Sequence, residues 1–293
     1  MARNPQQRLM SPDGRSLLVA QGLERSGVFG DLYHSWLGAP WWQVLVGVVL
    51  LYAFVNGLFA IGYFLIGGIE NSNGSFSDAF FFSVQTLATI GYGKLVPSSL
   101  SAHLLVTVES LCGLLGAAMA AGLMFAKFAR PTARVLWSKV AVVGTMDGVP
   151  TLMFRVANAR GNQVVEATLR FGLLRYDTTL EGQQIRRIID LDLVRSTSPV
   201  FVLSWLAVHR ITPESPLYGM TPETLKASRT ELYASLMGLD STVGQTIHAR
   251  HSWTADELVW NAQFVDIIGP LPDGRQGVNY TLFHETKPLA PRG

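Results

Sequence analysis

Between residues 41 and 126 the chain carries only four charged side chains, Glu70, Asp78, Lys94 and Glu109. Soluble domains hold roughly 25% charged residues, whereas this chain of 293 residues holds 15%, and the deficit sits in that one stretch. The segments on either side look soluble. The chain is therefore partly a membrane protein, of about two domains at roughly 100 to 200 residues each, one of them with the bilayer as its solvent.

Residues 41–67, WWQVLVGVVLLYAFVNGLFAIGYFLIG, form an apolar run whose polar members Gln43 and Asn56 are uncharged. As a helix the run is long enough to span about 30 Å of hydrocarbon. Residues 101–128, SAHLLVTVESLCGLLGAAMAAGLMFAKF, make a second span, richer in small residues and interrupted by one carboxylate, Glu109. Two spans return the chain to the side it started from. Arg3, Arg8, Arg15 and Arg25 precede the first and Lys127, Arg130, Arg134 and Lys139 follow the second, against Lys94 alone between them. The positive-inside rule then predicts cytoplasmic N- and C-termini. Residues 1–18 lack the apolar core of a secretory signal and read as a polar arm.

The connection holds a third apolar block, residues 76–87, whose length near 12 residues suggests a re-entrant helix. Residues 71–75 lead into it, and Ser77 with Asp78 are expected to cap its first turn. It runs straight into Thr89-Ile90-Gly91-Tyr92-Gly93. Non-helical backbone at membrane depth survives only where it is buried in protein or lines a cavity, so a helix followed by this loop reads as part of a pore. Upstream, residues 31–37 (DLYHSWL) stop at Gly38-Ala39-Pro40 and predict a short interfacial helix, with Trp36, Trp41 and Trp42 at headgroup level.

From Pro131 onward the period changes to two: Val165, Ala167, Leu169, Phe171 and Leu173 alternate with Glu166, Thr168 and Arg170, as in a half-buried strand. Further strands are expected at 151–157, 188–194, 200–208, 232–237, 245–253 and 263–268. One helix is expected at 222–228, with Thr221 as N-cap and Pro222 at its first position. Many strands with one helix argue for an all-β sandwich. A single cysteine, Cys112, excludes a disulfide framework and a multi-cysteine zinc site. A net charge of +2 is too mild to argue for nucleic acid. There is no P-loop, no G-x-S-x-G and no metal triad, and His34, His209, His248, His251 and His284 show no metal spacing, so no catalysed reaction is expected.

Chemistry concentrates in the glycine loop. A potassium ion (K+) sheds most of its hydration in a narrow filter, so the protein must offer a column of oxygens, and backbone carbonyls supply them. Gly91 and Gly93 adopt conformations denied to other residues, letting successive carbonyls point inward, while Thr89 adds a hydroxyl at the inner end. T-I-G-Y-G is near-identical to the TVGYG loop of potassium channels. That places K+ at the carbonyls of Thr89, Ile90, Gly91 and Tyr92, with Gly93 at the outer mouth, as the permeant ion and not a cofactor. One chain supplies a quarter of such a pore, which implies a homotetramer. The competing readings are a membrane-anchored β-sandwich binding module with a non-conducting pore, and a transporter subunit, which would need several such loops.

The segments FSDAFFFSVQTLATIGYGKLVP, AKFARPTARVLWS, VVEATLRFGLLR and SPVFVLSWLAVHRITPESPLYG extend the likeness beyond the loop. Through them the chain from about Asp31 resembles the prokaryotic inward-rectifier potassium channels, the KirBac branch of the Kir family. The resemblance implies an N-terminal arm with an amphipathic slide helix (1–40), a two-span pore domain with a re-entrant pore helix (41–128), and a cytoplasmic immunoglobulin-like sandwich that regulates it (129–293). It also implies a bacterial inner membrane, tetrameric assembly, a gate in the inner helix and control by anionic lipids; the short connection over residues 128–134 is expected to pass the state of the sandwich to the inner helix.

On matching positions Phe125 takes the family's hydrophobic constriction, where four phenyl rings close the path by dewetting. Lys127, Arg130 and Arg134 would meet lipid headgroups at about 1 kcal/mol each, although the positive-inside rule alone also accounts for them. Ala117 stands where strong rectifiers carry an acid. Gln85 and Lys94 stand where many relatives pair Glu with Arg, so filter support by a bidentate ion pair is not available, though Gln85 can still bond the loop. Glu109 stays open between a cavity carboxylate that concentrates cations and a structural one behind the filter, bonded to hydroxyls such as Thr86 or Thr107. Gly113, Gly116 and Gly122 permit bending or close packing, with packing expected.

Overall fold

A computed structural model describes residues 11, 28–129, 133–270 and 274–289. They fall into two compact units, divided at residues 130 and 131.

The first unit is helical. Helix α1 (Val28–Gly38) is followed by α2 (Trp41–Ile66), and a short antiparallel pair, β1 (Ile69–Glu70) with β2 (Val96–Pro97), brackets α3 (Phe76–Leu87). Helix α4 (Leu100–Phe128) closes the unit. Helices α2 and α4 are long and apolar enough to cross a membrane, reaching roughly 40 Å at 1.5 Å per residue. Helix α2 begins after Pro40 and stops where Gly67 takes φ 70°. The cap of α3 lies earlier than expected: Ser75, not Ser77, accepts from the Asp78 amide at 3.1 Å. Asp78 instead reaches back, accepting from the Asn73 amide at 2.8 Å and the Ser72 hydroxyl at 3.2 Å, and so orders the approach loop.

Large apolar side chains of this unit face outward, among them Leu50, Leu51 and Phe54 on α2 and Leu104, Leu111 and Leu115 on α4. Its apolar interior is a small cluster of Ala60, Tyr63, Ala79 and Phe82. Also buried are Val44, Ala102 and the polar residues Asn56, Ser83, Glu109 and Lys127. Apolar faces without a partner in the chain suit lipid or a neighbouring subunit, and polar and small residues are among those that turn inward.

The second unit runs β3 (Val135–Trp137), β4 (Ala141–Met146), β5 (Val149–Asn158), β6 (Val164–Thr178), β7 (Gln184–Asp190), β8 (Thr197–Phe201), β9 (Ser204–Arg210), α5 (Pro222–Ala227), β10 (Glu231–Asp240) and β11 (Gln245–Thr254). It ends in short strands β12 (Leu258–Trp260), β13 (Ala262–Phe264), β14 (Ile268–Pro270), β15 (Gln276–Val278) and β16 (Thr286–Pro288). One sheet has the order β11-β10-β6-β7 with β8 also on β6; the other has β12-β4-β5-β3 with β9 also on β5. Their facing sides share one core, including Leu152, Phe154, Leu169, Phe171, Leu173 and Trp253. Trp253 is fully buried, its indole N–H donating to the Ser138 carbonyl at 2.9 Å and its ring centroid 4.8 Å from that of Phe154. This is the sandwich expected from the alternation, and α5 begins as expected behind the Thr221 cap.

Four strand expectations need correction. The run 200–208 is two strands, β8 and β9, which pair with different sheets. The run 263–268 is also two, β13 pairing β16 and β14 pairing β15. The run 188–194 overlaps only the end of β7, after which the Leu191 amide donates to the Phe171 carbonyl at 2.9 Å. In β6 the alternation slips at Glu166, which takes φ 51° at a bulge where the register with β10 shifts between Met237 and Leu239. Val164, 1% exposed, is buried there while Val165 is only partly so. Gly238 opposes this point, where a Cβ would lie 2.5 Å from Val164 Cγ1.

Candidate functional site

The glycine loop grows out of the end of α3. The Ile90 amide donates to the Gln85 carbonyl at 2.8 Å and the Thr89 amide to the Thr86 carbonyl at 3.0 Å. These are the two bonds of a Schellman motif, in which the residue after the cap adopts the left-handed conformation usually given to glycine. Here that residue is Thr89, at φ 56°. A β-branched residue there is disfavoured by roughly 1–2 kcal/mol, so its conformation is imposed by the helix end. Gly91 (φ 61°) and Gly93 (φ 78°) repeat the left-handed turn, while Ile90 and Tyr92 do not. Handedness thus alternates along residues 89–93. In a strand successive carbonyls point to opposite sides, whereas this alternation gathers them on one side. Added Cβ atoms at Gly91 and Gly93 would meet nothing within 4 Å of their own chain, so it is backbone conformation that demands glycine.

Gln85 supports the loop with its backbone carbonyl; among the described residues its side chain makes no hydrogen bond and does not pair with Lys94. The outer end is tied down by Asn71 Nδ2, which donates to the Lys94 carbonyl at 3.0 Å.

Behind the loop lies Glu109, 0% exposed. Tyr63 Oη donates to its Oε2 at 2.6 Å and the Ser83 hydroxyl donates to its Oε1. Ser83 Oγ also lies 3.1 Å from Asn56 Oδ1, and Asn56 Nδ2 donates to the Tyr52 carbonyl at 2.7 Å. One carboxyl therefore joins α2, α3 and α4. The hydroxyls considered from sequence go elsewhere: Thr86 bonds the Phe82 carbonyl and Thr107 the His103 carbonyl, each on its own helix at 2.9 Å. One turn on, Gly113 packs against α3, where a Cβ would stand 2.5 Å from the Leu87 carbonyl oxygen. Gly116 and Gly122 have open space within the chain.

Helical phase separates the remaining candidates. At about 100° per residue, Lys127 returns to the face of Glu109 after five turns, Ala117 lies roughly 80° round from it and Phe125 roughly 160°. Phe125 is 75% exposed and stands opposite the packed face. Lys127 is only 9% exposed, and its Nζ donates to the carbonyls of Trp36 at 3.2 Å, Leu37 at 3.3 Å and Ala39 at 2.6 Å. An ammonium has three protons, and all three are engaged, which departs from the expected headgroup contact. Arg130 lies outside the described residues, and Arg134 belongs to the second unit, where its carbonyl accepts from the Ala159 amide at 2.9 Å.

Two histidines of the second unit serve packing, while His248 is exposed. His209 is buried between the Asp192 carbonyl (2.7 Å) and Ser215 Oγ (2.8 Å), and His251 stacks on Trp137 with centroids 5.8 Å apart. The His34 side chain lies outside the described residues. Tyr63 and Ser83 were missed from sequence; the signal was a hydroxyl inside an otherwise apolar run.

Residues 43–130 match the family model described as "Ion channel", and residues 135–291 match "Inward rectifier potassium channel C-terminal domain". The chain is 46% identical over 286 residues to "Inward rectifier potassium channel Kirbac3.1" of Paramagnetospirillum magnetotacticum, covering 97% of this chain and 96% of the relative. It is 32% identical over 310 residues to the human "G protein-activated inward rectifier potassium channel 3", covering 97% of this chain and 78% of the relative.

Proposed function

The chain belongs to the inward rectifier potassium channel family and is a potassium channel subunit, not an enzyme; from that premise we propose that K+ crosses at the carbonyls of residues 89–93 in a homotetramer and is gated at Phe125. The observation that carries the reading is the alternating backbone of that loop, set by the Schellman end of α3. Four copies around an axis would surround a dehydrated ion with oxygens at each level. Glu109 acts here as a structural carboxyl that fixes α3, and with it the filter, against both spanning helices. The four Phe125 rings form a constriction that closes by dewetting.

Both termini and the sandwich lie in the cytoplasm of a bacterial inner membrane, on the positive-inside pattern. The sandwich acts on the gate through residues 128–134, and a flexible insertion at Pro131 uncouples it. Anionic lipids meet the basic residues after α4, Arg130 and Arg134. Ala117 leaves the cavity without an acidic ring, so polyamine block there is weak.

The test is flux. Purified protein in potassium-loaded liposomes diluted into sodium should take up rubidium in a barium-sensitive manner, varying with the anionic lipid fraction. No uptake at any lipid composition, from either the natural protein or Phe125→Ala, would favour a non-conducting, membrane-anchored binding module.

A further inference from the structure

Of the buried polar residues in the membrane unit, Asn56, Ser83 and Glu109 serve the pore helix; Lys127 does not. It meets the far end of the interfacial helix. Helix α1 has no basic residue in its last turn, and the last carbonyls of any helix lack intrahelical partners. The Ala39 amide satisfies only the Ser35 carbonyl, at 2.9 Å. Next comes Pro40, which has no N–H to give. Lys127 reaches this end from another helix, donating to the carbonyls of residues 36, 37 and 39 and placing a positive charge at the negative end of the α1 dipole.

A second set of contacts holds the same corner. Lys127 Nζ lies 5.3 Å from the centroid of the Trp41 ring, and Trp41 packs on Phe128 with centroids 4.3 Å apart. The last turn of α4 is thus gripped from one side by the α1–α2 corner. Phe125 precedes Lys127 by two residues, about 200° around the helix, and projects from the opposite side.

We propose that Lys127 is a positioning residue for the gate: its hydrogen bonds to the carbonyls of Trp36, Leu37 and Ala39 latch the interfacial helix to the inner helix and set the direction of Phe125. This rests on the reading of Phe125 as the constriction, but the latch can be tested without it. Lys127→Met keeps the stem and removes the donors. Lys127→Arg keeps the charge and binds phosphate at least as well, but its planar fork cannot aim three protons from one atom.

In lipid-free neutral detergent, amide hydrogen exchange of the full tetramer should rise roughly tenfold across residues 35–44 in both variants, while residues 76–93 keep the natural rate. Trp41→Leu, which loosens the seat of the ammonium without removing it, should give the same pattern more weakly, and it serves as the probe if Lys127→Met also frees residues 76–93. In liposomes both Lys127 variants should change barium-sensitive rubidium uptake by about threefold or more, with the anionic lipid fraction at half-maximal uptake unmoved. Unchanged exchange across 35–44, with Lys127→Arg behaving as the natural protein and Lys127→Met needing more anionic lipid, would overturn the latch and make Lys127 a headgroup ligand. Raised exchange with unchanged flux would leave Phe125 independent of the corner and overturn the positioning role.

Discussion

The two units of this chain differ in how far their large apolar side chains are shut inside. In the sandwich Phe154, Leu169, Leu173 and Trp253 are shut between the sheets, and β5 is buried at every position from 151 to 158, its outer side packed at Met153 by Ala262 and Phe264 of β13 and at Ala157 by Ile267 and Phe283. In the membrane unit Asn56, Ser83, Glu109 and Lys127 are buried, while Leu51, Phe54 and Leu65 are exposed. Water expels apolar area, so the sandwich gains stability in proportion to what it buries. Lipid does not, so the helices are held in register by a few polar contacts and by small residues such as Gly113. The same residue type therefore means different things 100 residues apart.

Six substitutions sharpen or break that contrast. Trp253→Ala should be the most damaging, destabilising the sandwich by about 3–5 kcal/mol, read by denaturant unfolding of the full protein in detergent. Glu109→Ala should rank next, since it strands the Tyr63 hydroxyl at about 1–3 kcal/mol while Ser83 keeps Asn56 Oδ1 as an acceptor; thermal dissociation of the tetramer checks it, and Glu109→Gln should lose less. Gly91→Ala places a Cβ on a left-handed residue at roughly 1–2 kcal/mol and should remove selectivity for rubidium over sodium while the tetramer persists. Leu51→Ala should change stability by less than about 0.5 kcal/mol, although the same exchange at Leu169 should cost about 2–5 kcal/mol. Equal losses at Leu51 and Leu169 would abolish the distinction between the two interiors.

What could be read from the sequence followed the same division. The bounds of α3 are those of its apolar block, since a 12-residue run between polar turns leaves little choice. The glycine loop was legible because its conformation is local, dictated by residue type. Partners across helices were not: nothing in the spacing says that Glu109 meets Tyr63, 46 positions away, rather than Thr107 on its own helix. For Lys127 the positive-inside rule gives a location but no partner, and the carbonyls of a helix end leave no mark in a sequence. In the sandwich the alternation marked the core strands, yet the bulge at Glu166 and the break between β8 and β9 depend on which strand lies alongside.

The central claim is that residues 89–93 form a potassium-selective filter, and the reversal potential of single channels in a planar bilayer, with potassium on one side and sodium on the other, tests it most directly. The account predicts reversal close to the potassium equilibrium potential, moving toward zero in Gly91→Ala. A reversal near zero in the natural protein would contradict it.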